Sequence, residues 1–398
     1  MRSPHPFHLA GSPPRSLRSS GLAALRSSLA VGSRFRLARV VGAALLLVLA
    51  ASTACARDPG GRGVSLSDGF RIGLLLPESK TARYETFDRP LIEAKLRELC
   101  PRCDVLYQNA DQDSAKQQSQ AEAMLTQGVR VLILDAVDAR AVAGVVAGAH
   151  QHGVPVIAYD RLASGPVSFY VSFDSRRIGQ VQAQSLLDAL REGGDPRRGQ
   201  IVMINGSPTD PNAGAFKAAA HSVLDGQVHI GREYDTPDWS YDKAQQQMEQ
   251  AITALGKENI IGVYAANDGT AGGAIAAMRG AGFARIPPVT GQDAELTAVQ
   301  RVLAGYQYMT VYKALRAEAE TAAEMAIAAA TGTPFRGGAT VTVHNGTVNV
   351  PSVLLMPVVV TRDTVKDTIV KDAVYPVGQI CTEEYLPACE AAGLLGTG

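Results

Sequence analysis

The sequence predicts an α/β fold of two similar lobes, each a parallel sheet covered by helices. Three observations predict it. From Phe70 onward, short apolar runs alternate with helical patterns, the signature of βαβ units. The strand runs are apolar throughout rather than alternating, so both sheet faces are buried and helices must cover both sides. The runs form two sets of four or five, more than one compact sheet holds, and a chain of 398 residues suits a two-lobed protein.

Residues 1–39 carry many Arg, Ser and Pro and no acidic residue, and Val40–Ala51 follows as an uninterrupted apolar run. That run has the length of a signal-peptide core and is too short to span a bilayer as a mature helix. It ends in Ser52-Thr53-Ala54-Cys55, which reads as a lipoprotein processing site with the Cys55 thiol lipidated. Ser52 stands where Leu is usual, so ordinary cleavage after a small residue stays open, as does a translation start downstream of Met1. In either case the chain is exported. Residues 1–55 are read as a signal peptide with a lipobox and 56–69 as a linker.

The N-terminal lobe is expected over 70–174 plus about 313–345. Its strands are Arg71–Leu76, Asp104–Gln108, Val129–Leu134, Val154–Ala158 and Ser168–Val171, with helices at Pro90–Leu99, Ser114–Gln127 and Ala139–His152. The C-terminal lobe is expected over 175–312 plus about 346–398. Its strands are Gly199–Asn205, Val228–Tyr234, Ile260–Ala265 and Pro288–Gly291. Its helices are Arg176–Arg191, Ala213–Asp225, Tyr241–Leu255, Thr270–Ala281 and Glu295–Ala304. Ala314–Ala330 is a further long helix, and Asn345-Gly346 within Val341–Val350 signals a β-hairpin. The chain passes between lobes near Ser172-Phe173-Asp174 and near Tyr312-Lys313, a hinge that supports closure on a ligand.

Of five cysteines, Cys55 is the odd one, leaving Cys100/Cys103 and Cys381/Cys389 as pairs that an exported chain keeps oxidised. Cys100-Pro-Arg-Cys103 follows a helix and precedes a strand, which suits a structural staple. A redox or metal-binding Cys-x-x-Cys needs a helix N-terminus or a second ligand cluster.

Lys+Arg and Asp+Glu both number 38, so nothing favours nucleic acid or an acidic surface as partner. In open α/β sheets ligands bind outside the carboxyl ends of the strands. The polar residues at those corners are Lys80, Arg83 and Tyr84, then Asp160-Arg161, then Asp210 and Asn212. Trp239, Asn267-Asp268, Gln292-Asp293 and Lys313 complete the set. The phosphate loop G-x-x-x-x-G-K-[ST] and the dinucleotide fingerprint are absent, as are H-E-x-x-H and G-x-S-x-G, and the seven histidines form no ligand-spaced cluster. No metal or cofactor is implied, and no catalytic residue. Paired carboxylates could serve a glycosidase, yet each corner aspartate lies within two residues of an Arg, Asn or Gln, a composition for hydrogen bonding.

A monosaccharide matches that set. Its hydroxyls both donate and accept, Asp and Asn take vicinal hydroxyl pairs, and Arg and Lys donate charge-assisted bonds. Its C–H faces stack on aromatic rings, and each lobe contributes one, Tyr84 and Trp239. Trp239 reads otherwise as core and Tyr84 as a helix-face residue packing on its own lobe. Lys80 reads otherwise as a solvated loop residue. Asp268 reads as the N-cap of the helix from Thr270 rather than a ligand, and Gln292 as a loop tie.

The stretches "AYDR", "FYVSFD", "GSPTDPNA", "ANDGTAGGAI", "GQDAEL" and "MTVYK" occur in this order. Over roughly Arg71 to Lys371 the chain thereby resembles the bacterial D-xylose-binding proteins of ABC sugar importers. These are type I periplasmic binding proteins of the LacI/galactose-binding-like superfamily. The resemblance implies two Rossmann-like lobes, a three-strand hinge and no catalytic activity. It implies sugar contacts from Lys80, Arg83, Arg161, Asp210, Asn212, Asn267, Asp293 and Lys313, with Tyr84 and Trp239 stacking and Asp160 buttressing Arg161. Here Lys80 replaces an Arg, Tyr84 a Trp, and Pro211 an Asn, and the cysteine pairs lie outside the family pattern. The implied partners are a permease and its ATPase, with a monomer held at the outer face of the cytoplasmic membrane through Cys55, or free in the periplasm. Glucose, arabinose or ribose are the alternative ligands, and a sugar-presenting sensor for a receptor kinase is the alternative role. A LacI-type regulator would need a helix-turn-helix where the export signal stands.

Overall fold

The computed structural model describes residues 64–395, so the signal peptide, Cys55 and most of the linker lie outside the described residues. A larger sheet begins with β1 (Arg71–Leu76), β2 (Asp104–Asn109), β3 (Val131–Leu134), β4 (Val156–Tyr159) and β5 (Phe169–Phe173). A smaller sheet holds β6 (Gln200–Asn205), β7 (Ile230–Asp235) and β8 (Ile260–Ala265), all parallel, in the order β7-β6-β8. The expected strand at Pro288–Gly291 forms only an isolated parallel bridge, Val289 to Val263. Next come β9 (Thr310–Tyr312), the hairpin β10 (Val341–His344) and β11 (Asn349–Leu355), and β12 (Val358–Val360). The larger sheet reads β10-β11-β5-β4-β3-β1-β2, while β9 and β12 pair antiparallel on their own.

The hairpin departs from the expected division near residue 345, because both of its strands join the larger sheet. β11 runs parallel to β5, and its buried residues Val350, Ser352 and Val353 cover that sheet's edge.

Helices cover the larger sheet at α1 (Arg89–Leu99), α2 (Ser114–Thr126) and α3 (Ala143–Gln151). The smaller sheet follows with α4 (Ser175–Glu192), α5 (Pro211–Leu224), α6 (Tyr241–Leu255), α7 (Asp268–Gly280) and α8 (Leu296–Ala304). Then come α9 (Leu315–Thr331), α10 (Val377–Ile380) and α11 (Leu386–Ala391). α9 returns to the larger sheet, its small buried residues Ala319, Ala322, Ala323 and Ala326 packing with Ile92 and Leu96 of α1. Apolar burial of this kind stabilises by roughly 25 cal/mol per Å².

One glycine fixes the helix that carries site residues. A Cβ at Gly179 on α4 would lie 2.3 Å from the Phe216 carbonyl oxygen, so only glycine lets α5 pack this close. Cys100 is bonded to Cys103 at the end of α1, and Cys381 to Cys389 between α10 and α11. Among the described residues no helix is long and apolar enough to cross a membrane.

Candidate functional site

Loops leaving the carboxyl ends of β1, β4, β6, β7, β8 and β9 converge on one cavity. Both sheets contribute to its wall.

From the larger sheet come Arg83, Tyr84, Asp160 and Arg161. Arg83 is locked from behind. Its Nε and Nη2 donate to Asp88 at 2.9 and 2.7 Å, and Nη2 also donates to Glu318 of α9 at 2.8 Å. Its Nη1 lies 3.4 Å from Asp160 Oδ1 and has no hydrogen-bond partner. Tyr84 is buried, its ring beneath the Arg83 and Arg161 guanidinium carbons at 5.2 and 5.8 Å. Its hydroxyl accepts from Arg161 Nη2 at 3.1 Å and donates to Asp160 Oδ2 at 3.3 Å. Burial pushes the Asp160 carboxyl upward, but Arg83, Lys313 and Arg161 outweigh it and hold it below its ordinary value. Asp160 thus pairs with Arg83, reaches Arg161 through the Tyr84 hydroxyl rather than buttressing it directly, and lines the cavity itself.

From the smaller sheet, Asp210 caps α5 by accepting from the Asn212 N–H at 2.8 Å, with Pro211 at the first helical position. The other Asp210 oxygen accepts from Trp239 Nε1 at 3.1 Å and lies 3.0 Å from Arg161 Nε. Burial outweighs the pull of Arg161, so the Asp210 carboxyl titrates above its ordinary value. Asn212 Nδ2 donates to the Asp160 carbonyl at 2.9 Å. These contacts tie α5 to the loop after β4. Trp239 sits on a short 3₁₀ turn, Pro237–Trp239, with its ring edge toward Phe216 at 6.5 Å between centroids. It belongs to the local core cluster and lines the cavity at once.

At the junction of β8 and α7, the N-cap expected of Asp268 falls to Asn267. Asn267 is the N-cap: its side chain accepts from the Thr270 N–H at 2.9 Å, and Thr270 Oγ1 accepts in return from the Asn267 N–H. Asn267 also lines the cavity. Asp268 is already helical. It turns away to accept from Gln307 Nε2 at 2.7 Å, Thr310 Oγ1 at 2.8 Å and the Glu295 N–H at 2.9 Å. It is a tie between α7, β9 and the start of α8. Gln292 and Asp293 line the cavity, as does Lys313, whose Nζ lies 2.7 Å from Asp293 Oδ1. Burial works against the Lys313 charge, but Asp293 holds its titration above the ordinary lysine value.

Lys80 is placed elsewhere. It is exposed and does not line the cavity, because the buried Glu78 carboxylate binds the Lys80 and Thr81 N–H groups and turns the lysine outward. Thr81 and Phe216 line the cavity instead. Thr81 carries no sequence signal beyond its place after β1, and Phe216 reads as ordinary helix core.

The lining therefore holds three cations, Arg83, Arg161 and Lys313, facing three carboxylates, Asp160, Asp210 and Asp293, with Tyr84, Trp239 and Phe216 as apolar surfaces. Such a balanced ring leaves no net charge for an ionic ligand, while offering donors and acceptors around aromatic faces to a neutral polyol. Among the described residues no His, Cys, Asp and Glu cluster is arranged to hold a metal.

A family profile described as a periplasmic binding protein domain matches residues 72–334. The chain is 35% identical over 308 residues to the D-xylose-binding periplasmic protein of Escherichia coli K12, covering 76% of this chain and 90% of that one. It is 31% identical over 334 residues to a multiple sugar-binding periplasmic receptor of Rhizobium radiobacter, covering 79% and 93%. Among solved structures, an ABC transporter solute-binding protein from Clostridium phytofermentans with bound β-D-glucose superposes with a TM-score of 0.73 at 28% identity, covering 78% of this chain and 99% of that one.

Proposed function

Because the chain belongs to the periplasmic binding protein family, we propose that it is the extracytoplasmic solute-binding protein of an ABC importer and that its ligand is D-xylose. The observation that carries this reading is the ring of three cations and three carboxylates around aromatic surfaces, drawn from loops of both sheets. A pyranose has the matching chemistry, with hydroxyls around an edge and two apolar faces. Similarity to proteins named for D-xylose binding supports the choice of sugar. Glucose is the second reading, favoured by the related structure that holds β-D-glucose.

In this reading, Arg83, Arg161, Asp210, Asn212, Asn267, Asp293 and Lys313 bind hydroxyls, while Tyr84 and Trp239 flank the ring. The sheets mark two lobes that close about the crossings near Phe173, Lys313 and Met356, with the β10–β11 hairpin assigned to the first lobe. The protein delivers its sugar to a permease and performs no turnover, as its transport relatives do. It works outside the cytoplasm as a monomer, held at the membrane through lipidated Cys55, with both cysteine pairs oxidised. Calorimetry of the mature chain against D-xylose, D-glucose, L-arabinose and D-ribose tests the proposal. Binding of D-xylose at micromolar affinity or tighter is expected, and silence toward all four sugars overturns it.

A further inference from the structure

Asp135 directly follows β3 and is fully buried. Its main chain is pinned: the N–H donates to the Leu75 carbonyl at 2.9 Å, and the carbonyl accepts from Gln117 Nε2 at 2.7 Å. Gln117 Oε1 in turn accepts from the Val137 N–H at 2.9 Å. The side chain is not satisfied in the same way. Among the described residues neither carboxyl oxygen has a hydrogen-bond partner, and the cation beside it is Arg161, with Nε 3.5 Å from Oδ1.

Arg161 is held at both ends of its fork, each Nη nitrogen keeping a second N–H. Nη1 donates to the Ala136 carbonyl at 3.2 Å and Nη2 to the Tyr84 hydroxyl at 3.1 Å. Nε makes no hydrogen bond among the described residues and lies between Asp135 behind the cavity wall and Asp210 at 3.0 Å on the N-terminus of α5. One N–H serves one acceptor well, and Asp210 holds the shorter contact. The loop after Asp135 meets the same partner region, since the Ala139 N–H donates to the Thr209 carbonyl at 3.4 Å.

We infer that Asp135 is a proton-dependent positioning residue for Arg161. Protonated, it leaves Nε to Asp210, and the two walls of the cavity stay joined. Ionised, it draws the guanidinium back from Asp210 and loosens the site. An ionised carboxyl in a dry setting without donors is costly, so the neutral form is favoured at rest. Burial raises the Asp135 titration well above the ordinary carboxylate value. Arg161 and Arg83 pull it down, Asp160 and Asp210 push it up, and the Tyr84 hydroxyl shares the same surroundings. By linkage, a proton that favours the bound form is taken up when sugar binds.

The inference rests on the sugar-binding reading, and its test separates the two. D-xylose affinity measured by calorimetry on wild type, Asp135→Asn and Asp135→Ala gives difference profiles in which titrations common to all three cancel. Wild type is expected to lose affinity relative to both variants as pH rises, by about fivefold or more across the transition. Trp239, the only tryptophan, donates to Asp210 and reports the same event without sugar. Its fluorescence is expected to step with pH in ligand-free wild type, and the difference from either variant, in which the Asp210 titration remains, isolates the Asp135 contribution. Superimposable profiles in both readouts overturn the inference. If no aldose binds, the functional reading fails while the fluorescence step still decides the role of Asp135. Should the variants not fold, carboxyl NMR of the wild type suffices, and an Asp135 titrating in the ordinary carboxylate range overturns the inference.

Discussion

The Trp239 ring rests on Gly206, the residue after β6, and this seat allows a sharp perturbation. A Cβ at Gly206 would lie 2.0 Å from Trp239 Cη2, 2.3 Å from Cζ2 and 2.5 Å from Cζ3. Ordinary carbon contacts begin near 3.5 Å, so Gly206→Ala forces the ring back by about 1.5 Å. The backbone gives little, because Asp238 and Trp239 are held at φ of 61° and 52°. A displacement of that size breaks the 3.1 Å bond from Trp239 Nε1 to Asp210. A hydrogen bond to a charged group contributes about 1.5–3 kcal/mol, and each 1.4 kcal/mol is tenfold in affinity. D-xylose affinity should therefore fall about 10- to 100-fold, read by calorimetry, with thermal unfolding showing that the fold persists. A folded Gly206→Ala protein that binds within about twofold of wild type would refute Trp239 as a ligand-facing platform.

Asn212→Ala removes the donor to the Asp160 carbonyl, and sugar should dissociate about 2–10 times faster in stopped-flow fluorescence; an unchanged rate counts against the cross-cavity tie. Lys313→Met leaves Asp293 buried without its cation, both side chains being about 5% exposed. Stability should drop by about 3–5 kcal/mol in denaturant unfolding, with Asp293→Asn in the same chain restoring part of it, and no loss would reject the pair as structural. Burial above all raises Asp268 to about 7 and Glu295 to about 8, helped by the Asp293 charge at the first and the Asp268 charge at the second. The folded chain then holds protons that the unfolded chain releases. Their stability contribution is full below the ordinary carboxylate values and is lost as pH rises toward 8. Glu295→Gln should flatten that decline in melting temperature, and equal slopes would contradict it.

Much of the molecule was legible because parallel strands need continuous apolar runs: β1 and β8 run from the residues expected. The site was legible through the strand-end rule, which collected Arg83, Arg161, Asp210, Trp239 and Lys313 without any catalytic motif. What stayed hidden depends on local dihedrals and on contacts distant in sequence. Asn267 and Asp268 are both good cap residues, and only the extended backbone at Asn267, φ −145° and ψ 176°, decides that it caps. Lys80 turns outward because Glu78 captures the N–H groups ahead of it, a contact between neighbours that residue types alone do not announce. β11 fell in the second lobe because the division expected at about residue 345 cuts through the hairpin, whereas its pairing partner β5 lies far back in the chain. Asp135 stood at a strand end and met the rule, but a lone carboxyl after an apolar run carries no pattern that separates it from a loop aspartate.

Three cavity residues share a property that bears on why the site persists. Asp160, Trp239 and Asp293 have φ of 55°, 52° and 94°, a region that side chains other than glycine enter at a cost of order 1–3 kcal/mol each. Each is held there by its own N–H: Asp160 to the Val171 carbonyl and Asp293 to the Val311 carbonyl, both at 2.9 Å, and Trp239 to the Thr236 carbonyl at 3.3 Å. Strands anchor the two aspartates and a local turn anchors Trp239, and the strained backbone aims a polar or aromatic side chain into the cavity. Arg83 Nη1 and Gln292 Oε1 are buried without hydrogen-bond partners on that same wall. A site that carries strain and unmatched polar atoms gains from any ligand that supplies partners for them. A sugar hydroxyl offers an acceptor to Arg83 and a donor to Gln292, so binding should offset part of the strain, not merely add contacts. At a hundredfold excess over Kd, ligand should stabilise the fold by about 2.7 kcal/mol, seen as a rise in melting temperature. In Gln292→Leu the unmatched acceptor is gone, so the empty protein should melt higher than wild type while the sugar binds more weakly. If Gln292→Leu instead melts lower and binds sugar as tightly, those unmatched atoms have no part in recognition, and the site is held open by packing alone.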